Sequence, residues 1–326
     1  MVSPESEFRK LRTALEAQGL FLKTPGFYFK LSLIYLALLA ASIAVLVVYQ
    51  NSLLQIANVF LFSFALAQLS FIGHDMAHYQ VFSSRIAHNI VNRLWWGLVL
   101  GGGYDWWASK HNQHHANPNQ IGRDPDIEQP FVFSPEQLGN RGKIFRRVLS
   151  YQSIYFFPLL ALAYLNAVRG AVTHFLIREK NRRAYAEFFL QSFHFALLFS
   201  IIFLSLGFLY GAAFIISYSL LIGIYIGLTF APNHKGMPIV IKDMMPWYKQ
   251  QVITARNIKP NFFVDIFYGG LNYQIEHHLF PAMSRKHLPK ARELVRKFCE
   301  KTSIPYYETT MPGSLAEIYN ALKMAV

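Results

Sequence analysis

The segment His111-Asn112-Gln113-His114-His115 places three imidazoles at i, i+3 and i+4, so that on a helical turn all three project from one face. Histidine is 12 of 326 residues, and a triplet at these offsets arises by chance roughly 0.02 times per chain. Two further clusters share the pattern. His74-Asp75-Met76-Ala77-His78 carries imidazoles at i and i+4, and Gln274-Ile275-Glu276-His277-His278 ends in an adjacent pair. An eighth histidine, His234, follows Pro232-Asn233 at the end of another apolar run. A lone histidine is usually a hydrogen-bonded polar residue; three clusters beside apolar or aromatic stretches read together as a metal site at a membrane surface. One zinc takes four ligands, so eight imidazoles are enough for two metals. Imidazole suits Fe, Zn, Cu and Ni, which leaves the metal open at this level. The His-Glu-x-x-His pattern of zinc proteases is absent. Cys299, the only cysteine, rules out an internal disulfide, a thiolate-held iron–sulfur cluster and a cysteine zinc site.

The elements that position these histidines follow from composition and charge. Hydrophobic residues make up 53% of the chain, aromatics 16% and charged residues only 15%, against roughly 25% charged in soluble domains. Mean hydropathy is positive. The net charge of +13 could suggest nucleic acid, but no nucleic-acid signature accompanies it. No Lys or Arg falls between Leu31 and Gly73 or between Ala184 and Pro232. Cations confined to the remaining segments mark the cytoplasmic side of a membrane protein and attract anionic headgroups.

Residues 1–30 read as an interfacial segment with a helix over Glu7–Gln18, ended by Gly19; no signal-peptide cleavage pattern is present. Leu31–Tyr49 and Leu53–Gly73 are each long enough to cross a hydrocarbon core, with a turn at Gln50-Asn51-Ser52. The next part, 74–184, holds the first two clusters. Its apolar stretches Leu94–Tyr104 and Tyr151–Val168, the latter interrupted by Pro158, read as re-entrant or interfacial, with Trp95, Trp96, Trp106 and Trp107 at headgroup depth. Phe188–Gly207 and Ala212–Ala231 are the third and fourth spans, within a second hairpin region over 185–231, and 232–326 is basic and holds the third cluster. The expected architecture is one all-α integral membrane domain. Four transmembrane helices form two hairpins, with both termini cytoplasmic and a cytoplasmic helical cap holding the histidines.

The three clusters resemble the HxxxH, HxxHH and (H/Q)xxHH boxes of the membrane fatty acid desaturase and hydroxylase superfamily. Order and separation fit, and the run Gln274 to Pro281, QIEHHLFP, is similar to that of acyl-lipid and front-end desaturases. The resemblance implies a non-haem centre of two iron ions that uses O2 to remove two hydrogens from a fatty acyl chain, carried as acyl-lipid or acyl-CoA. Its ligands would be His74, His78, His111, His114, His115, His234, His277 and His278. A redox-inert zinc cannot do this chemistry, and an apolar tunnel between the spans would keep water from it. Gln274 stands where some relatives have histidine, which implies an amide, a water or an open position at one iron. Animal acyl-CoA desaturases carry an asparagine one helical turn before the histidine after the last span, whereas Asn233 here is adjacent to His234. Relatives with the glutamine box often carry a fused haem domain. No His-Pro-Gly-Gly signature precedes the first span here, so the electron donor is expected to be a separate ferredoxin, cytochrome or flavin reductase on the basic face.

Asp75 and Glu276, each beside a proposed ligand, are candidates to hold an imidazole N–H; for Asp124 and Asp126 the plain reading is a solvated loop carboxylate. Gln191 and His194, one turn apart inside the third span, either line the substrate tunnel or join helices by hydrogen bonds. Three other readings remain at this level: a di-iron lipid hydroxylase on the same scaffold, a zinc-dependent membrane lipid hydrolase, and a non-catalytic lipid sensor.

Overall fold

The computed structural model describes residues 3–49, 52–128, 130–139, 142–177, 181–242 and 245–326; two positions of the expected first turn, 50 and 51, lie outside them. Helices α1 (Pro4–Ala17), α2 (Pro25–Val48), α3 (Ser52–Ala77) and α4 (Arg85–Leu94) lead to a π turn over Trp95–Val99 and to α5 (Tyr104–Ala116). Next come α6 (Pro135–Leu138), α7 (Lys143–Leu149), α8 (Gln152–Leu159), α9 (Ala163–Ile177) and α10 (Arg182–His234). Helices α11 (Trp247–Ile253), α12 (Phe262–Tyr268), α13 (Gln274–Leu279), α14 (Leu288–Thr302) and α15 (Met311–Met324) complete the set. Two short parallel strands, β1 (Asn257–Ile258) and β2 (Glu308–Thr309), pair Asn257 with Glu308 and Ile258 with Thr309. The chain divides into two compact units.

The first unit comprises the chain up to Lys23, Lys110–Pro158 and Leu228–Val326. Its core gathers Leu11 and Leu15 of α1, Val252 of α11, Ile275 and Leu279 of α13, and Val295 and Phe298 of α14. The amphipathic α1, expected to lie on lipid, buries its apolar stripe against protein instead, and Glu7 at its start bonds Lys301 at 2.6 Å. The reason is that α14 is itself amphipathic, with Ala291, Val295 and Cys299 buried on one side, so each helix covers the other's apolar face.

The second unit comprises Thr24–Ser109 and Leu159–Gly227. Helix α2 is apolar on every side, yet Phe29, Leu33, Val47 and Val48 are exposed. A helix hydrophobic all round is stable where lipid takes the place of water. Its buried Ser42 is satisfied within the unit: Ser42 Oγ and Asn58 Oδ1 of α3 are 2.6 Å apart, and Asn58 Nδ2 donates to the Ser42 carbonyl at 3.0 Å. Gln68 Nε2 donates to Tyr225 Oη at 2.9 Å, the pairing expected of amides in a low-dielectric medium. Helix α4 turns its polar side inward, burying His88 and Asn92 while Ile86 and Ile90 are exposed.

Among the described residues, four stretches are long and apolar enough to cross a membrane: Pro25–Val48, Leu53–Ala77, Gln152–Ile177 and Arg182–His234. The last is 53 residues long and breaks at Gly207, whose φ of 72° and ψ of 176° are non-helical. In an unbroken helix residues 203 and 211 stand about 12 Å apart along the axis. A Cβ on Gly211 would lie 2.7 Å from Phe203 Cδ1, so the chain doubles back. The expected break between the third and fourth spans is therefore made by one glycine, and 208–211 is helical. The stretch from Gln152 differs from expectation too. Pro158 lies inside the last turn of α8, and a 3-10 turn over Leu160–Leu162 carries the helical path into α9, so 26 residues qualify as a span by length and composition.

Candidate metal centre

In the first unit, α5 presents its histidines on one face as their spacing requires. His111 Nε2 and His115 Nε2 are 3.1 Å apart, and His277 offers a nitrogen within 4.8 Å of theirs. His114, His234 and His278 form a second group with the same limit, and the Nε2 atoms of His114 and His234 lie 3.4 Å apart. His115 stacks on His278 with ring centroids 4.2 Å apart. All six are buried. They come from three separate elements: α5, the last turn of α10, and α13, a six-residue helix that is buried throughout.

The outward nitrogens of the second group each have an oxygen partner. His114 Nδ1 lies 3.0 Å from Asp124 Oδ2, His234 Nδ1 2.9 Å from the Thr254 carbonyl, and His278 Nδ1 2.8 Å from Gln251 Oε1. An N–H donated outward fixes the tautomer and leaves the lone pair of Nε2 for a metal. Three buried imidazoles held this way fit a first-row transition metal by donor chemistry.

Around them runs a network of amides and carboxylates. Asp124, expected in solvent, is fully buried and accepts the Asn119 backbone N–H at 2.7 Å. Asn119 sits at φ 55° and donates from Nδ2 to the His234 carbonyl at 3.1 Å and to that of Pro238 at 3.2 Å. Asp126 pairs with Lys110. Burial would raise its carboxyl, but Lys110, His114 and Lys235 hold it well below the ordinary range. Arg256, buried, bonds the carbonyls of Pro232 and Lys235 on either side of His234 and reaches Glu317. Gln251 also donates to the His115 carbonyl at 3.1 Å, so one side chain braces two of the histidine segments.

Gln274 reaches the same place. Its Nε2 is 2.9 Å from His234 Nε2, and its Oε1 accepts from Asn233 Nδ2 at 3.0 Å. Asn233 Nδ2 also donates to the Leu271 carbonyl at 3.1 Å. Glu276 does not bond a histidine. Its carboxylate accepts from Asn257 Nδ2 and Tyr306 Oη, both at 2.8 Å, and Asn257 Oδ1 accepts the Ile275 N–H at 2.9 Å. Burial pushes Glu276 up to about 7, against the lowering effect of those two bonds. The residue thus anchors α13 rather than orienting an imidazole.

In the second unit, His74 and His78 have ring centroids 4.7 Å apart. Asp75 Oδ1 lies 3.0 Å from His74 Nδ1, the contact expected of the neighbouring carboxylate, and Tyr28 Oη donates toward Asp75 Oδ2 at 3.0 Å. Gln191 Nε2 donates to the Gly101 carbonyl at 2.9 Å, and His194 Nδ1 bonds that of Leu98 at 2.8 Å. His194 thus ties α10 to the π turn and Gln191 ties it to the segment after that turn. Gly101, at φ 64°, makes the approach possible: a Cβ there would lie 2.5 Å from His194 Cδ2.

Sequence reasoning missed Asn119, Gln251, Thr254, Asn257, Arg256 and Tyr28. Asn119 offered one signal, an Asn-Pro-Asn turn in which the second asparagine can take the left-handed conformation.

The family model for fatty acid desaturase matches residues 51–310, and the chain belongs to the fatty acid desaturase family. It is 30% identical to the acyl-lipid (9-3)-desaturase of Physcomitrium patens, over 97% of this chain and 62% of that protein. It is 30% identical to the fatty acid desaturase 2-like protein FADS2B of Mus musculus, over 97% of this chain and 66% of that one. The delta(6)-fatty-acid desaturase fat-3 of Caenorhabditis elegans is 29% identical, over 92% and 70%. The chain thus spans just under two thirds of the length of the first two relatives. Family and apolar helices together make it a membrane protein.

Proposed function

We propose that the protein is an O2-dependent fatty acyl desaturase with two non-haem iron ions. The observation that carries the reading is the group His114, His234 and His278, buried and mutually within 4.8 Å, each with its outer nitrogen held by an oxygen. The proposed ligands are these three with His111, His115 and His277, and with His74 and His78, which the motif resemblance assigns. When bound, the irons supply the redox chemistry that hydrogen removal from an unactivated CH2–CH2 demands. One such pair becomes CH=CH, and O2 takes its two hydrogens with two electrons and two protons from outside to leave two waters.

The protein's own residues orient and protect. Asp124, Thr254 and Gln251 hold three imidazoles in one tautomer each. Gln274 stays in place through Asn233 and presents an amide to the same group. Excluding water from so buried a site protects the oxidant. The proposed topology is two membrane hairpins with both termini and all histidines on the cytoplasmic side. A separate, acidic redox protein would dock on the basic surface, which the excess of 31 cationic over 18 anionic side chains favours. The acyl substrate is proposed as a membrane lipid or a CoA thioester, on the analogy of the acyl-lipid relative.

The test is metal analysis of detergent-purified protein grown on iron-57, with Mössbauer spectroscopy, followed by lipid profiling. Two irons per chain with a coupled di-iron signature and a new cis double bond is the expected result. A hydroxylated product would move the assignment to the hydroxylases. Zinc-supported lipid hydrolysis, with no iron bound on reconstitution, would overturn it. His114→Ala should abolish both iron and activity while the protein still inserts.

A further inference from the structure

Helix α3 ends in a closure that sits directly on two of the proposed ligands, His74 in its last turn and His78 just past its end. Gln80 N–H donates to the Asp75 carbonyl at 3.1 Å and Tyr79 N–H to that of Met76 at 3.0 Å, the two bonds of a Schellman motif. The left-handed residue of such a motif is usually glycine; here it is Tyr79, at φ 58°. Its ring stacks on the buried His88 with centroids 3.5 Å apart, a contact that offsets the conformational cost. Trp107 packs against both ligand rings at steep angles, with centroids 5.6 Å from His74 and 6.3 Å from His78. A second tie closes the same turn through side chains. Tyr28, on the first turn of α2, is buried, and its Oη lies 3.0 Å from Asp75 Oδ2 and 2.6 Å from Gln80 Oε1. One hydroxyl therefore joins the last turn of α3 to the residue beyond its cap.

We infer that Tyr28 is a positioning residue for the metal centre, whose hydroxyl fixes the Asp75 carboxylate so that His74 keeps its proton on Nδ1 and turns the lone pair of Nε2 to the metal. A phenol has one proton to give and here meets two side-chain oxygens. The carboxylate is the stronger acceptor, so the proton goes to Asp75. Gln80, with its amide turned end for end, then donates its N–H to the phenol oxygen. Each donor in this row points toward Asp75, whose other oxygen faces His74 Nδ1 at 3.0 Å. A carboxylate without that brace rotates about its last bond, and each rotation away from Nδ1 lets the imidazole take the other tautomer. The role rests on the proposed reading of His74 as an iron ligand. It puts a determinant of metal binding on α2, a helix that carries none of the eight histidines.

The experiment titrates the full chain, stripped of metal in a neutral maltoside detergent, anaerobically with Fe2+ against a competing chelator. A parallel titration uses Co2+, whose visible ligand-field bands report the geometry of its donors. Tyr28→Phe removes the hydroxyl and keeps the ring. It should lower Fe2+ affinity about threefold to tenfold, less than the 10- to 100-fold typical of a carboxylate that touches the imidazole, and it should shift the Co2+ bands. Asp75→Asn should take that larger loss. Adding Tyr28→Phe to Asp75→Asn should then change affinity by less than about twofold, because members of one hydrogen-bond network are not additive. A loss of the same size in both backgrounds, unmoved Co2+ bands, or no loss at all makes Tyr28 a packing residue between α2 and α3 and overturns the inference. Circular dichroism checks that each variant is folded. If Tyr28→Phe is not, Gln80→Met decides: it removes the amide that aims the hydroxyl and should lower Fe2+ affinity about twofold to threefold, and undiminished affinity overturns the inference. His74→Ala tells the two readings apart. Affinity that survives His74→Ala removes His74 from the ligands, and Tyr28 from its role with it. Affinity lost in His74→Ala but kept in Tyr28→Phe overturns the role of Tyr28 alone. Neither titration needs turnover, so a chain that binds iron as expected and desaturates nothing would sink the desaturase reading and leave Tyr28 in place.

Discussion

Asp124 holds the Nδ1 edge of His114 at 3.0 Å although ten residues separate them, and it does so from a fully buried position. Its other bonds, to the backbone N–H of Asn119 and of Asp126, aim the carboxylate at the imidazole. Asp124→Asn keeps the shape and removes the charge that favours the Nδ1–H tautomer. Iron affinity should fall about 10- to 100-fold, measured as iron retained against graded chelator, while far-ultraviolet circular dichroism stays unchanged. Undiminished affinity would mean that His114 is held in place without the carboxylate.

Asn119 connects the loop after the second histidine cluster to the segment of His234 from one left-handed position. Two substitutions separate its two roles. Both Asn119→Gly and Asn119→Ala lose the side-chain bonds, worth about 1 kcal/mol each. Alanine adds the left-handed penalty of about 1–2 kcal/mol that glycine escapes. The alanine variant should therefore melt below the glycine variant, and both below the unchanged protein. The reverse order in thermal denaturation followed by fluorescence would refute the conformational part.

How much of this could be read from the sequence depends on the range of each interaction. The face shared by His111, His114 and His115 was legible, because helical periodicity alone dictates it. So was the apolar length of α2 and α3, and so was the pairing of Asp75 with His74, one residue away. Asp124 was not. Burial of a loop aspartate depends on Asn119 taking φ 55° and folding the loop back, which no local pattern announces. Thr254 and Gln251 were invisible for a related reason: a backbone carbonyl and an amide become partners of His234 and His278 only once α11 has packed beside α13. Glu276 misled in the opposite direction, since adjacency to His277 suggested contact, while the helical turn points it away toward Asn257 and Tyr306.

Gly207 is the place where a single residue decides topology. Its φ of 72° with ψ of 176° belongs to a region that residues with a Cβ avoid, at a cost of about 1–3 kcal/mol. Nothing lies within 4 Å of a Cβ built there, so Gly207→Ala tests conformation without a steric clash. It should lower thermal stability by that order. Equal stability of the two proteins would show that the reversal is set by the packing of Gly211 on Phe203 instead.

A pH dependence separate from the histidines is built into the pairing of Arg292 with Glu308, at 2.6 and 2.7 Å. Burial alone would raise Glu308, yet the two-pronged guanidinium contact more than offsets it and leaves the carboxyl below its usual value of 4.5. A carboxyl depressed in the folded state stabilises above the unfolded value and loses that contribution as pH falls through the folded one. Glu308→Gln should therefore cost on the order of 1.5 kcal/mol at pH 7. The gap to the unchanged protein should then close as pH drops below 4.5. Comparing the two proteins at each pH, both stripped of metal, cancels the protonation of the histidines common to them. A gap that stays constant down to the acid limit would mean that Glu308 acts through shape, by pairing β2 with β1, and not through its charge.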